Sequence, residues 1–557
     1  MSFETLLAVC GSLLNIKTMA LMVVGVGAGL IAGAIPGFTI VMGVVLVLPF
    51  TFGMTAIQGL ATMIGVMVGG LSGGLISGIL TGIPGTPSSV ATTFDGFPMA
   101  RKGQPGFALG IGVWSSFFGG VIGSILLACL APQLARIGLE FGPWDFFSMV
   151  LFALTITASL AGKNMVKGVI SGIIGLLIVC IGEDNINGVA RFTFGFDELE
   201  QGFAFLPVLI GLFAFSQLLN DVRDAEAAQN PMMPGTQGVK VNHAAALSEV
   251  LKKWVTLVRS SLVGVFIGVL PAAGTTISNV IAYDQAKKTS KYPEKFGTGI
   301  SDGIVASEGA NNATMGGALI TMMALGIPGD TVTAIMLGAL LIHDVVPSPA
   351  FIDEEPILAY GIIGAFFVCH FIMIAMQAFC LRAFVLITRI PMYRLVGVIL
   401  AYCAIGAFAL NNIEFDLWVL LVFGVIGYTA RLFGFPLAPM ILGVVLGPIA
   451  ELYMARSLSI SHNLALFLIR PWSLFFLILA VFSVAFPWYQ KHRGRSKWPR
   501  AFMPALGVAL AIPLFMMTGK VRAVIACLLA VGGAFLIWRR MKAPFYYEQT
   551  HTEVEGF

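Results

Sequence analysis

Leu80-Thr81-Gly82-Ile83-Pro84-Gly85 and Ala324-Leu325-Gly326-Ile327-Pro328-Gly329 are two versions of one hexapeptide, with Pro84 and Pro328 standing 244 residues apart. Each follows a small-residue apolar stretch, Gly73-Gly74-Leu75-Ile76 and Gly317-Ala318-Leu319-Ile320, at that same offset. A Gly-Ile-Pro-Gly inside a hydrophobic run breaks a helix. Proline lacks the N–H and crowds the preceding turn, and glycine lets the chain unwind. In lipid, unwound backbone survives only where protein buries it or a watery cavity meets it. Two such breaks at corresponding points of two halves point to a transport site between internal repeats.

The rest of the chain fits a membrane setting. Of 557 residues, 57% are hydrophobic and 11% charged, with a mean hydropathy of +0.92. A soluble domain carries about 25% charge. Long apolar runs recur from end to end, so the expected fold is all-α and polytopic, with roughly 12 to 16 crossings or half-crossings. The 65 glycines suit close helix packing in lipid. A net charge of +4 with no basic aromatic patch gives no reason to expect nucleic acid. The seven cysteines form no Cys-x-x-Cys pair and read as reduced packing residues. Met1-Ser2-Phe3-Glu4 lacks the basic start of a secretory signal, so the first spanning helix is expected to target the chain.

Apolar segments lie near 18–52, 55–83, 106–131, 144–161, 165–182 and 203–219, then near 255–286, 304–346, 357–381, 393–410, 414–430, 436–454, 472–490, 501–518 and 521–538. Basic residues set the orientation. Lys163, Lys167, Lys252, Lys253, Lys287 and Lys288 read cytoplasmic, as do the run 491–500 and the C-terminal Arg539, Arg540 and Lys542. The acidic loop 183–200 and Asp353-Glu354-Glu355 read external. The expected organisation is a first transmembrane repeat over 1–220, a cytoplasmic linker over 221–254, a second repeat over 255–470, and C-terminal spans with a cytoplasmic tail over 471–557.

An earlier proline pair extends the echo. Gly33-Ala34-Ile35-Pro36-Gly37 parallels Gly268-Val269-Leu270-Pro271-Ala272, at an offset of 235 residues. Whether the two halves are parallel or inverted stays open in the sequence, with inversion the usual arrangement in carriers. Polar groups gather after every break. Pro36 and Gly37 are followed by Thr39. Gly82, Pro84 and Gly85 are followed by Thr86, Ser88, Ser89, Thr92 and Thr93. Pro271 is followed by Gly274, Thr275, Thr276, Ser278 and Asn279. Pro328 and Gly329 are followed by Asp330, Thr331 and Thr333. A helix restarting at a break offers unpaired N–H groups and a positive dipole end, which suit a carboxylate. A helix ending there offers carbonyls for Na⁺. The plainer alternative is that the hydroxyls only cap or mend kinked helices.

Carboxylates at membrane depth are costly and mark ion pathways. Asp330, with Thr333, Glu308, Asn311 and Asn312 on the same half, is therefore expected to handle the coupling ion, with any bound Na⁺ near Asp330. The alternatives are that Asp330 caps the restarting helix and that Glu308 sits at the interface. Asp95, in Phe94-Asp95-Gly96-Phe97-Pro98, reads as a loop turn. His370 reads as a packing histidine. Asp330→Asn is expected to alter ion coupling, and Ser88→Ala or Thr331→Ala to weaken uptake. No Gly-x-x-x-x-Gly-Lys-Ser/Thr loop is present, so no ATP site is expected and energy must come from a gradient or a partner. Two other functions compete. Gly70-Leu71-Ser72-Gly73-Gly74 has the Gly-x-Ser-x-Gly form of a hydrolase, which would make Ser72 the nucleophile of an intramembrane protease. A passive anion channel is the other, disfavoured by ligand-like groups at the breaks of both halves.

These residues resemble the large membrane subunit of the tripartite tricarboxylate transporter family. The resemblance is carried by Gly82-Ile83-Pro84-Gly85 running on to Asp95-Gly96-Phe97-Pro98-Met99-Ala100-Arg101-Lys102-Gly103, by Gly326-Ile327-Pro328-Gly329-Asp330, and by Pro271-Ala272-Ala273-Gly274-Thr275, over roughly residues 1–495. It implies a secondary carrier of the bacterial inner membrane, with no catalytic residues and no cofactor beyond Na⁺ or H⁺. It implies import of a tricarboxylate or related organic acid. The implied partners are a small membrane subunit and a periplasmic solute-binding protein. The apolar pair after residue 500 departs from the family pattern and is expected to stand in for part of the small subunit or to dock it.

Overall fold

The computed structural model describes residues 2–35, 38–160, 164–184, 188–221, 223, 240–271, 273–387, 392–492 and 498–542. Pro36, Gly37, Lys163, Ala272, half of the polar interval 221–254, the residues 493–497 and the tail from 543 lie outside them. Among the described residues the chain is helical apart from turns, loops and one antiparallel pair of two-residue strands, Gly182–Glu183 with Ala190–Arg191. Among the described residues nine helices are long and apolar enough to cross a membrane, and others are apolar but shorter. This is an all-α polytopic membrane protein. It divides into two compact units.

The first unit comprises Met1–Glu140, Ile181–Glu183 and Ala190–Leu437. It begins with α1 (Phe3–Leu13), α2 (Ile16–Ala34), α3 (Ile40–Val47), α4 (Ala56–Thr81), α5 (Val90–Arg101) and α6 (Pro105–Gly138). Helices α2 and α4 meet backbone to backbone. A Cβ on Gly29 would collide with the Val66 carbonyl, and one on Gly33 with the Gly70 carbonyl. Such contact needs glycine on the approaching face and lets dispersion and small-residue packing replace the hydrophobic drive that lipid removes. As numbers rise along α2 they rise along α4, so the two run parallel and α3 is the return.

The second unit runs from Phe141–Cys180 through Asp184–Val189 to Ala438–Phe557. Its helices are α7 (Pro143–Leu160), α8 (Met165–Val179) and, later in the chain, Leu437–Ile460, Pro471–His492, Phe502–Met516 and Lys520–Lys542. Asp145, 1% exposed, accepts from Gly142 N at 2.7 Å and pairs with Arg470 Nη2 at 2.9 Å. The Arg470 guanidinium also lies 5.2 Å from the Trp144 ring centre. Gly175 meets the Met440 carbonyl, so this bundle also uses glycine contact. In the last helix only 11% of the spanning window is buried, against 94% in α4, which leaves its flanks for lipid.

The remaining helices of the first unit are α9 (Phe205–Leu209), α10 (Ser216–Asp221), α11 (His243–Lys252), α12 (Trp254–Gly268), α13 (Gly274–Thr289), α14 (Ser301–Leu325), α15 (Thr331–Ile342), α16 (Pro356–Ile387), α17 (Met392–Asn411) and α18 (Phe415–Leu432). Helices α12 and α14 repeat the α2–α4 contact. A Cβ on Gly264 would meet the Ala310 carbonyl and one on Gly268 the Thr314 carbonyl. These are the Gly29–Val66 and Gly33–Gly70 contacts shifted by 235 residues on one helix and 244 on the other.

The two pairs point in opposite directions. Helix α5 runs alongside α4 in the same sense, with Gly74 against Ser89, Gly78 against Thr93 and Gly82 against Phe97. Against α14 the order reverses: Thr92 meets Glu308, and three residues on, Asp95 meets Gly303 and Ile300. Helix α6 gives the complementary sense, running with α14 from Ser116–Glu308 through Gly119–Gly309 to Gly123–Gly316. Helix α14 therefore opposes α4.

Candidate functional site

Both Ile-Pro-Gly breaks are built alike. Helix α4 ends at Gly82 with φ +78°, and α14 at Gly326 with φ +70°. This left-handed conformation is open to glycine at no cost. The cap N–H groups return to Gly78 O and Met322 O, each at 3.1 Å. After Gly82 the chain doubles back along α4, so that Gly85 N reaches Gly74 O at 3.2 Å. There is no room for a side chain at the fold-back. A Cβ on Gly85 would strike the Gly33 carbonyl, and one on Gly329 would lie 2.7 Å from the Gly268 carbonyl.

The first break is closed by hydroxyls. Thr86 Oγ1 lies 2.9 Å from Ser88 Oγ and 3.2 Å from Ser89 Oγ, all three buried. Asn279 of α13 joins them from the far half, donating through Nδ2 to Ser88 O at 2.6 Å and accepting from Ala91 N at 3.0 Å. A wholly buried amide thus satisfies one orphan N–H and one carbonyl where α5 restarts. Of its neighbours, Thr275 is buried and Thr276 exposed. Gly274, at φ +64°, has open space where a Cβ would stand.

The second break is closed by a carboxylate. Asp330 Oδ1 accepts from Thr333 N at 2.8 Å and Thr333 Oγ1 at 2.7 Å, while Asp330 N donates to Thr333 Oγ1 at 2.9 Å. This is a capping box on α15. At the 244-residue offset Asp330 corresponds to Thr86 and Thr333 to Ser89, so the same two positions are bonded to each other in both halves. Pro328 and Gly329 are buried, and Thr331 and Pro84 half-buried. Thr39 caps α3, accepting from Met42 N at 3.2 Å. Pro36 and Gly37 lie outside the described residues.

Glu308 is 0% exposed, in the N-terminal half of α14. Thr92 Oγ1 donates to Oε1 at 2.5 Å, and Ser116 Oγ to Oε2 at 2.8 Å. Thr92 also lies 3.2 Å from Ser307 Oγ. Asn312 accepts from Ser72 Oγ at 3.2 Å and donates to the Glu308 carbonyl at 3.2 Å. Asn311 Nδ2 lies 3.5 Å from Leu71 O, and its Oδ1 is buried without a partner. Gln377 of α16 reaches Ser72 O at 3.3 Å. Among the described residues no Lys or Arg forms an ion pair with Glu308.

One residue reading changes. Asp95 lies inside α5, not in a loop turn. Its Oδ1 accepts from Gly297, Gly299 and Ile300 N at 2.7–3.0 Å, and its Oδ2 from Tyr283 OH at 2.9 Å. Four donors outweigh the turn preference of Asp-Gly and clamp the segment leading into α14. His370 is buried, with Nδ1 bonded to its own helix at Phe366 O, as a packing histidine would be. Ser116 and Gln377 escaped the sequence reading. Their only signal was a polar side chain inside an apolar run.

Comparison with known proteins gives a consistent picture. A family model described as "Tripartite tricarboxylate transporter TctA family" matches residues 19–442. An Agrobacterium vitis protein, described as uncharacterized, of 52.8 kDa and in the TAR-I ttuC' 3' region, is 32% identical over 442 residues. That alignment covers 79% of this chain and 87% of the relative. A second uncharacterized A. vitis protein, from the TAR-II ttuC' 3' region, is 32% identical over 200 residues, covering 36% of this chain and 83% of the relative. No solved structure matches.

Proposed function

The chain belongs to the tripartite tricarboxylate transporter TctA family, and from that premise we propose that it is a secondary carrier importing an organic carboxylate with Na⁺ or H⁺. A tricarboxylate or a related acid is the substrate. A periplasmic solute-binding protein delivers it, and a small membrane subunit completes the system in the bacterial inner membrane, with the C-terminus cytoplasmic. We read the α2–α5 and α12–α15 segments as inverted repeats, the arrangement from which carriers build alternating access.

The observation that carries this reading is the pair of matched fold-backs, which run in opposite directions and are both lined by polar groups. Substrate oxygens meet the restarting helix and the hydroxyls of Thr86, Ser88 and Ser89, with Asn279 holding that restart in place and Thr275 and Thr276 near the opposite break. The second break contributes Thr331 and the head of α15, and the acidic half supplies the cation ligands. Because Asn279 belongs to one half and Ser88 to the other, a rocking of the halves about this contact would expose the site to one side and then the other. Against the protease reading, Ser72 donates its hydroxyl to Asn312 at 3.2 Å and not to a histidine.

The test is uptake of citrate, succinate and benzoate into vesicles holding the full chain. It is run with and without a Na⁺ or pH gradient and with and without an added periplasmic solute-binding protein. Gradient-dependent accumulation of at least one acid is expected. Flux indifferent to every gradient would make the protein a channel instead.

A further inference from the structure

We infer that the coupling cation is held at Glu308, in a cage closed by Thr92, Ser116 and Asn311, and not at the second Pro-Gly break. The inference rests on the carrier reading above. It follows from how differently the two carboxylates are used. Asp330 is spent on its own helix, with backbone and hydroxyl donors of Thr333 on one oxygen. Glu308 has no such commitment. Its two oxygens are met by side-chain hydroxyls from two other helices, Thr92 of α5 and Ser116 of α6.

A wholly buried carboxylate needs a cationic partner or must be neutralised. Among the described residues none of the charged groups on the helices packed around it forms an ion pair with it. Asp95 on α5 and Tyr283 on α13 bond each other at 2.9 Å. Asp302, near the start of α14, pairs with Lys253 at 2.6 Å. Arg259 on α12 and His370 on α16, whose Nδ1 bonds Phe366 O and whose Nε2 faces Gly120 of α6, have Nε and Nε2 buried without a hydrogen-bond partner, and neither pairs with Glu308. Helix α4 brings Ser72 and no ionisable group. The missing positive charge is therefore one that comes and goes.

A second feature marks the place. Asn311 Oδ1, one turn along α14 from Glu308, is buried without a hydrogen-bond partner. The two carboxylate oxygens, Thr92 Oγ1, Ser116 Oγ and Ser307 Oγ form one hydrogen-bonded chain, and turning the Asn311 amide, which hydrogen-bonds Glu308, would add Oδ1 to an all-oxygen set. Hydroxyls that now donate can rotate to offer lone pairs, and hard monovalent cations take oxygen ligands. Proton and Na⁺ share this chemistry, since either neutralises the carboxylate. The location gives the coupling a route. Thr92 lies one turn along from Ser88 on α5, so occupation of Glu308 bears on the same short helix whose start faces the substrate.

Full-length protein in proteoliposomes tests this, with labelled citrate, or succinate or benzoate if that is the acid wild type accumulates. The gradient that drives wild type, Na⁺ or pH, names the cation. Glu308→Gln mimics the neutralised site. It is expected to lose gradient-driven accumulation about tenfold or more, roughly the loss of one charge-assisted contact. Exchange of labelled against unlabelled acid, which needs no net cation movement, should continue. Ser116→Ala and Thr92→Val each remove one ligand and are expected to raise the half-maximal cation concentration about tenfold. They keep the test decisive if the Gln variant fails to insert. The inference is overturned if Glu308→Gln accumulates acid like wild type. It is also overturned if both hydroxyl variants keep wild-type cation dependence, or if Asp330→Asn uncouples while Glu308→Gln does not. Wild-type protein that accumulates no acid under any gradient counts against the carrier reading itself.

Discussion

Replacing Asn279 with alanine removes one side chain and strands two backbone groups on another helix. Ala91 N loses its acceptor at 3.0 Å and Ser88 O its donor at 2.6 Å, both in a site with no exposure at Asn279. An unsatisfied buried polar group costs roughly 1–3 kcal/mol, so the change costs about 2–6 kcal/mol. That cost falls on the first turn of α5, because both stranded groups lie there. If this turn positions the substrate, the lower bound alone weakens apparent affinity about thirtyfold. Asn279→Asp should do no better. It keeps an acceptor for Ala91 N but sets a carboxylate oxygen against the Ser88 carbonyl. The assay is concentration-dependent uptake of the transported acid, normalised to inserted protein, with a thermal denaturation midpoint measured beside it. An alanine variant that inserts normally and keeps its KM within about twofold, where thirtyfold is expected, would refute the reasoning, even if its midpoint fell.

Gly29→Leu drives a side chain into the Val66 carbonyl and should lower the denaturation midpoint, by overpacking worth about 1–3 kcal/mol or more, whereas Gly11→Ala, in α1 with open space around it, should not lower it. Asp95→Ala orphans the N–H groups of Gly297, Gly299 and Ile300, a loss of about 3 kcal/mol or more, and should hasten tryptic cleavage at the exposed Lys295. Arg470→Met leaves Asp145 charged and buried, at a cost of about 3–5 kcal/mol in thermal stability, and the double variant Asp145→Leu/Arg470→Met should recover most of it.

Much of the architecture was legible because it is written in local chemistry. Proline and glycine act on the residues beside them, so Pro84 and Pro328 reported the breaks wherever the halves ended up in space. The 235- and 244-residue offsets carried over into matched backbone contacts at Gly29 and Gly264. Direction was not legible, since the count of crossings leaves it open and only the contacts of α5 and α6 with α14 reveal it. Asp95 was misread because Asp-Gly followed by Pro98 has turn chemistry. The donors that hold it in a helix come from residues 188 to 205 positions away. Glu308 was identifiable as a buried acid, but its partners Thr92 and Ser116 lie 216 and 192 positions away. Nothing in the pattern of α6 distinguishes Ser116 from a hydroxyl that merely bonds its own helix.

The exchange of Thr86 for Asp330 at matched positions bears on which way the protein faces at rest. Two chemically identical inverted halves would trade places between inward and outward states of equal energy, and an idle carrier would divide evenly between them. Here one fold-back is closed by a neutral hydroxyl pair and the other by a carboxylate, so the two states are no longer mirror images in energy. A difference of only about 1.4 kcal/mol sets their ratio at ten to one. On the repeat reading, the carrier has a preferred side on which to wait, and one residue's charge helps choose it.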